Sequence, residues 1–186
     1  YNSCRKQAAR MTPRNFKGLF KAVFANAQSY DAVLRELENA DLQFEMAVSA
    51  SCFAQLKRHR MATVITQDYD PGLGVTVPPA VRAIGRQKAF MDVIRKTNNV
   101  YHRIRQKNPC AAAYVLTNAH RKRVLMKLNA REMYHVTRLR ADVHAQWDIR
   151  DLSENMLRQA RKVMPLTLMM ACGKDGFAAQ QKKLFP

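Results

Sequence analysis

The sequence predicts an α/β (α+β) protein, in which short strands alternate with long amphipathic helices. Two stretches alternate apolar and polar residues as half-buried strands do: residues 42–49, and a second stretch that places Val124, Met126 and Leu128 on one side. Elsewhere apolar residues recur at the spacing of helices. The 186 residues, 47% of them hydrophobic, suit a single domain over 1–186 with a real core.

Residues 1–40 are predicted to form N-terminal helices, because apolar residues recur there every three or four positions. A longer helix is followed by a shorter one. Their inward positions are Phe16, Leu19, Phe20, Val23 and Phe24 in the first helix and Val33, Leu34 and Leu37 in the second.

The first predicted strand, 42–49, leads into a short helix that starts at Ser51 and ends in the basic residues 57–60. The prolines and glycines of 68–79 predict a loop. A long helix follows, with Asn108 and Pro109 as its stop signal. Its inward face comprises Phe90, Val93, Ile94, Tyr101 and Ile104.

The second strand ends just before Asn129, and helices are predicted over 129–140 and over about 146–164. The last helix has acidic residues in its first turns and basic residues in its last turn, which complements the helix dipole, and Pro165 stops it. Its inward stripe comprises Ile149, Leu152, Met156 and Ala160.

The formal net charge of +18 predicts a phosphate-bearing or otherwise anionic partner. No apolar run is long enough for a membrane span, and the basic N-terminus lacks the pattern of a secretory signal. We therefore expect a cytoplasmic protein. Because the sequence begins with Tyr1 rather than Met, one interpretation is that it is the C-terminal part of a longer chain.

The four cysteines are widely scattered and have no histidine at metal-ligand spacing. They are Cys4, Cys52, Cys110 and Cys172. We interpret them as free thiols in a reducing compartment and predict no metal site.

Arg58, His59 and Arg60 follow the first strand and its short helix. Guanidinium groups bind phosphate oxygens in bidentate fashion, so this tripeptide suits a nucleotide, although a solvated basic cluster is the commoner meaning of such a run. A second group lies later in the chain. It comprises Asn129, Arg131, Arg138, Arg140, His144, Gln146 and Trp147. Asn129 is also a natural helix N-cap.

Together the two groups resemble the flavin-dependent thymidylate synthases. In that family an Arg-His-Arg signature is followed by Asn-x-Arg and then by Arg-x-x-x-His-Ala-Gln-Trp-Glu-Ile. Here the late block reads Asn129-Ala130-Arg131 and then Arg140-Ala141-Asp142-Val143-His144-Ala145-Gln146-Trp147-Asp148-Ile149. The resemblance covers about 42–165, with a family-like core over 41–172, and implies a small mixed or antiparallel sheet flanked by long helices.

The resemblance also implies an activity and roles for single residues. The activity is the methylation of dUMP to dTMP with methylenetetrahydrofolate, NADPH and a reduced flavin, FAD. The implied flavin contacts are Arg58, His59, Arg60, Asn129, Arg131 and His144. Arg140 matches the arginine that binds dUMP or a related pyrimidine nucleotide and helps to polarise its ring, and Thr63 replaces a substrate-binding serine.

Departures at four positions weaken the substrate side of this resemblance. Asp68 and Asp70 stand where the family has serine and arginine, and carboxylates repel a phosphate. Ala113 replaces an arginine, and His135 stands where an asparagine is common.

Two interpretations of the whole chain therefore remain open. In the first, the chain is a thymidylate synthase-like enzyme, which assembles as a homo-tetramer or is the degenerate half of a tandem or hetero-oligomeric enzyme, paired with a second similar domain. In the second, it is a non-catalytic RNA-binding or scaffolding subunit of a larger assembly, which the basic run His120-Arg121-Lys122-Arg123 favours.

Overall fold

The computed structural model describes residues 1–185. In chain order, the helices and strands of these residues are α1 (Asn2–Ala9), α2 (Pro13–Phe24), β1 (Asp41–Ser49), α3 (Ala50–Leu56), β2 (Thr63–Thr66), α4 (Pro79–Ala83), α5 (Gln87–Lys107), α6 (Pro109–Ala112), β3 (Arg121–Asn129), α7 (Ala130–Arg140), α8 (Trp147–Val163) and α9 (Phe177–Leu184). Helices with a small sheet confirm the predicted fold class.

The described chain divides into two compact units. The first unit combines Tyr1–Leu42 with the residues from Leu128 onward, and the second unit is Gln43–Lys127. The assignment of 1–186 to a single domain stays a prediction.

The sheet has the strand order β1-β3-β2. β2 runs antiparallel to β3, with Thr63 opposite Lys127 and Thr66 opposite Val124. The predicted alternation on β3 is confirmed, because Val124 and Met126 are 0% exposed and Leu128 is 2% exposed. β2 was not predicted, because its four residues are too few to show a clear alternation.

In the second unit, the side chain of Ser49 accepts a hydrogen bond from the Cys52 N–H (2.9 Å) and so caps α3. The helix ends at Leu56. The prediction that this helix extends through Arg60 is therefore wrong. The long helix α5 and its stop are confirmed, and Ile94 and Tyr101 are its buried positions. Val93, predicted to face inward, is 57% exposed.

In the first unit, α7 packs against α8 and against a 3-10 turn at Arg35–Asn39. The prediction of a second N-terminal helix is wrong: this 3-10 turn stands in its place, and Val33 and Leu34 lie outside it. Leu34 is extended (φ −56°, ψ 144°) and is 49% exposed. The side chain of Gln146 caps α8 by accepting from two backbone N–H groups, as helix starts require.

All four cysteines are free thiols, as expected. Among residues 1–185, no helix is both long enough and apolar enough to cross a membrane.

Candidate functional site

The Arg-His-Arg tripeptide lies in the turn between α3 and β2, in the second unit. Successive backbone hydrogen bonds tighten this turn, from the Arg58 N–H to Gln55 O (3.2 Å) and from the His59 N–H to Leu56 O (3.1 Å). Arg58 and Arg60 are exposed, whereas His59 is only 4% exposed. The turn therefore presents two guanidinium groups to solvent and buries the ring between them. Thr63, also exposed, begins β2 a few residues later.

The segment after β2 contains the two carboxylates that depart from the family pattern. Asp70 Oδ1 accepts a hydrogen bond from the Gly72 N–H (2.8 Å) and caps the 3-10 turn Pro71–Leu73. The neighbouring carbonyl of Tyr69 accepts from the Tyr101 hydroxyl (3.2 Å). Asp70 thus stabilises a local turn, in a segment where the resemblance implies that the family binds the nucleotide phosphate.

In the first unit, Asn129 joins β3 to α7. Its Oδ1 accepts a hydrogen bond from the Glu132 N–H (2.8 Å), which confirms the predicted N-cap.

The guanidinium of Arg131 is largely engaged by the same unit. Nη1 lies 2.7 Å from Glu38 Oε1, and Nε donates to the carbonyl of Val33 (3.1 Å). Arg131, followed by Arg35, lowers the pKa of the Glu38 carboxyl, so this pair is ionised at neutral pH. Arg131 therefore holds the segment before β1, a role that a sequence separation of more than ninety residues conceals.

Arg140 is the last residue of α7, and His144 lies in the connection between α7 and α8. Arg140 is half-buried and His144 is exposed. The connection is anchored to α8, because Arg150 Nη1 donates to the carbonyl of Val143 (3.2 Å). Arg140 and His144 are therefore presented by one short, anchored stretch of backbone.

The predicted site residues fall into two groups. Arg58, His59, Arg60 and Thr63 belong to the second unit, and Asn129, Arg131, Arg140 and His144 belong to the first. That the cations of both groups form a single pocket stays a prediction.

The side chains of the basic run 120–123 are buried or make contacts within the second unit. His120 is fully buried, Arg121 Nε donates to the Thr76 hydroxyl (3.1 Å), and Lys122 Nζ lies 4.4 Å from the ring centroid of Tyr69. Arg123 forms an ion pair with Glu45. Since each member has a partner in the chain, this run gives little support to RNA binding.

The first unit also contains a cavity of about 340 Å³, which no pattern in the sequence indicates. Its walls include Phe24, Tyr134, Arg138, Cys172 and Lys174. Burial raises the pKa of the Cys172 thiol, so Cys172 is a neutral thiol there rather than an activated nucleophile. None of the residues predicted to contact flavin or nucleotide lines this cavity.

Comparison with known proteins assigns the chain to a family. Residues 4–166 match the family described as "Thymidylate synthase complementing protein". The chain belongs to this family. A flavin-dependent thymidylate synthase of Geobacter sulfurreducens is 30% identical over 174 residues, which cover 80% of this chain and 74% of that protein. A second, from Haloarcula marismortui, is 33% identical over 164 residues, covering 70% of this chain and 66% of that protein.

A solved structure shares the fold of this thymidylate synthase complementing family member. It is a UMP/dUMP methylase, PolB, from Streptomyces cacaoi, bound with 5-Br dUMP. The two superimpose with a TM-score of 0.72 over 90% of this chain and 82% of that chain, at 17% sequence identity. The fold is therefore that of a known dUMP methylase structure.

Proposed function

We propose that the protein is a flavin-dependent, thymidylate synthase-like enzyme that methylates dUMP to dTMP, with methylenetetrahydrofolate as carbon donor and NADPH as reductant. The family match over residues 4–166 carries this proposal. The proposed cofactor is FAD, the proposed assembly is a homo-tetramer or a pair with a second similar domain, and the proposed location is the cytoplasm.

The residues of the Arg-His-Arg turn have the right chemistry for a dinucleotide. Arg58 and Arg60 are exposed, and neither forms an ion pair with a carboxylate within residues 1–185. Both guanidinium groups thus remain available for the phosphates of FAD, which they match in bidentate fashion. His59, held in the turn between them, is proposed to contact the flavin as well.

On the first unit, the exposed His144 imidazole and the Asn129 side chain are proposed as further flavin contacts. Arg131 is proposed to contact the flavin only through those guanidinium N–H groups that do not bind Glu38 or Val33. The bound flavin supplies the redox chemistry. The protein positions the nucleotide and provides a field that favours charge on its ring.

Arg140 is the proposed catalytic residue. A fixed cation stabilises negative charge that develops on the pyrimidine ring during the reaction, and such preorganised groups are among the largest contributors to catalysis. Thr63 is proposed to bind the nucleotide through its hydroxyl. Asp70 is proposed to take no part, because its carboxylate is committed to the turn at Gly72.

Flavin binding by the purified protein tests this proposal most directly. We expect a yellow protein, or one that takes up added FAD, and dTMP formation from dUMP when methylenetetrahydrofolate and NADPH are supplied. Arg58→Ala and His144→Ala should lose flavin, while Arg82→Ala, which removes an exposed arginine from α4, should retain it. A folded protein that remains colourless and forms no dTMP contradicts the proposal.

A second candidate function is RNA binding, which the exposed surface of α5 favours. Apart from Asp92, which pairs with Arg95 (2.6 Å), the charged residues of this helix are basic. They are Lys88, Arg95, Lys96, Arg103, Arg105 and Lys107, all of them exposed. A solvated basic face of this kind suits a phosphate backbone and needs no base-specific contacts.

A further inference from the structure

A buried carboxylate lies between the two residues on which the proposed chemistry depends. Asp142 follows Arg140 by two positions and precedes His144 by two, in the connection between α7 and α8. Its neighbours Val143 and His144 are exposed, whereas Asp142 itself is 2% exposed. The chain therefore turns this charged side chain inward in the middle of a surface connection.

The carboxylate links two turns of the first unit. Asp142 Oδ1 accepts a hydrogen bond from the backbone N–H of His144 (3.0 Å), and Lys174 Nζ lies 3.9 Å from the same oxygen. The second oxygen, Oδ2, is buried and has no hydrogen-bond partner within residues 1–185. Asp142 thus connects the backbone of His144 with the turn Lys174–Gly176.

A structural cap alone does not require a charge at this position. Burial removes water from the carboxylate, and the C-terminal end of α7 opposes a negative charge through the helix dipole. A neutral asparagine could accept the same hydrogen bond. The charge of the carboxylate is instead explained by the Lys174 ammonium of the other turn, which it faces.

Gly173 brings the second turn close to the first. A Cβ atom at Gly173 would overlap the carbonyl oxygen of Ala141 and lie 2.7 Å from its carbonyl carbon. Because these are backbone atoms, no side-chain rotation relieves the overlap. Gly173 and Asp142 therefore both link the backbone of residues 141–144 to the turn that follows Gly173.

We propose that Asp142 is a positioning residue, which fixes the α7–α8 connection against the Gly173–Gly176 turn and thereby sets the orientation of Arg140 and His144. The ligand-binding consequence rests on the proposed function. The link between the two turns does not depend on it.

The charges around Asp142 agree with this role. The hydrogen bond from His144 lowers the pKa of the Asp142 carboxyl, with smaller contributions from the charges of Lys174 and His144 and from the backbone N–H of Asp175, while burial acts in the opposite direction. The Asp175 carboxylate belongs to the same facing turn. Asp142 is therefore ionised at neutral pH.

The test compares Asp142→Asn with Asp151→Asn, which changes an exposed carboxylate on α8 of the same unit. At neutral pH, Asp142→Asn should move the His144 amide proton upfield in the NMR spectrum, because its acceptor loses its charge. Emission from Trp147, the single tryptophan, should change as well. Displacing Arg140 and His144 by about 1 Å should lower kcat/KM for dUMP by up to about a hundredfold.

Two milder variants keep the test decisive if Asp142→Asn folds poorly. Lys174→Ala removes the exposed cation beside the carboxylate but leaves its charge, and should shift the His144 amide by a smaller amount than Asp142→Asn. Gly173→Ala leaves the carboxylate intact and should reproduce the loss of kcat/KM. An unchanged His144 amide and unchanged kinetics in the folded variants overturn the proposal.

The experiment also separates this inference from the proposed function. If the wild-type protein forms no dTMP, the proposed function fails, and the His144 amide and Trp147 still report on the link between the turns. If wild type is active and all three variants match Asp151→Asn in every measurement, Asp142 has no positioning role.

Discussion

At the scale of single residues, His120 shows how the second unit treats a buried titratable group. The Thr117 N–H can only donate, so Nδ1 of His120 accepts its hydrogen bond (3.0 Å). Nε2 then carries the ring proton and donates a hydrogen bond to Asn98 Oδ1 (2.8 Å). Burial lowers the pKa of His120, which favours this neutral form.

The folded protein should therefore lose stability in mild acid. The unfolded chain takes up a proton at His120 near its ordinary pKa of about 6.5, and the folded chain does so only at lower pH. The contribution of His120 is full above the unfolded pKa and declines as the pH falls from there toward the folded pKa. Urea unfolding between pH 8 and 5 measures this decline.

The matched comparison for this prediction uses two histidines. His120→Gln should remove the decline, whereas His102→Gln, at an exposed position of the same unit, should leave it in place. Identical pH profiles for wild type and His120→Gln contradict the prediction.

At the scale of elements, the junction of β3 and α7 combines a structural and a proposed functional role in Asn129. Asn129→Ala removes the acceptor of the Glu132 N–H and should lower the free energy of unfolding by about 1 kcal/mol. Asn129→Asp keeps an acceptor and should retain the stability of wild type. Chemical denaturation measures both.

Flavin titration of the same two variants separates the two roles. If Asn129 contacts FAD, Asn129→Asp should bind FAD more weakly despite its normal stability, because a carboxylate cannot donate a hydrogen bond and repels phosphate. Wild-type affinity in Asn129→Asp restricts Asn129 to its capping role.

The alternation along β3 gives a second prediction at this scale. Met126 is 0% exposed, and Met126→Ala should lower the free energy of unfolding by about 2–5 kcal/mol through lost burial and a residual cavity. Met61→Ala, at a position 77% exposed, is the control and should have little effect. A loss as small as that of the control would show that the sheet face is loosely packed.

These elements show which structural features can be predicted from residues that are close together in the sequence. The strand alternation at Val124, Met126 and Leu128 and the cap at Asn129 were predictable, because each depends on residues a few positions apart. The end of α3 at Leu56 was not, because the turn that buries His59 interrupts a run of residues otherwise compatible with a helix.

At the scale of the whole molecule, the salt dependence of RNA binding tests whether the charge of +18 serves RNA binding. Binding of a poly(U) oligonucleotide should weaken steeply with salt if α5 contacts its backbone. Arg103→Ala with Lys107→Ala should reduce the slope of log K against log salt by about 1.4, because each lost contact to a single strand contributes about 0.7.

The control for this measurement removes two exposed charges from α8, through Arg158→Ala and Lys162→Ala. It should leave the slope unchanged if binding is localised to α5. Equal reductions of the slope in the two double variants indicate an unspecific response to net charge. dTMP formation that survives the α5 changes assigns that surface a role outside the reaction.

The sequence alone determined the fold class, the C-terminal ends of the long helices and the resemblance that the family match confirms, because strand alternation, helix stop signals and motif spacing all depend on nearby residues. Only the tertiary structure showed that Arg131 forms an ion pair with Glu38, that the side chains of the run 120–123 contact other residues of the chain, and that Asp142 is buried beside the turn at Gly173. Each depends on a partner distant in the chain, and local pattern carries no record of such partners.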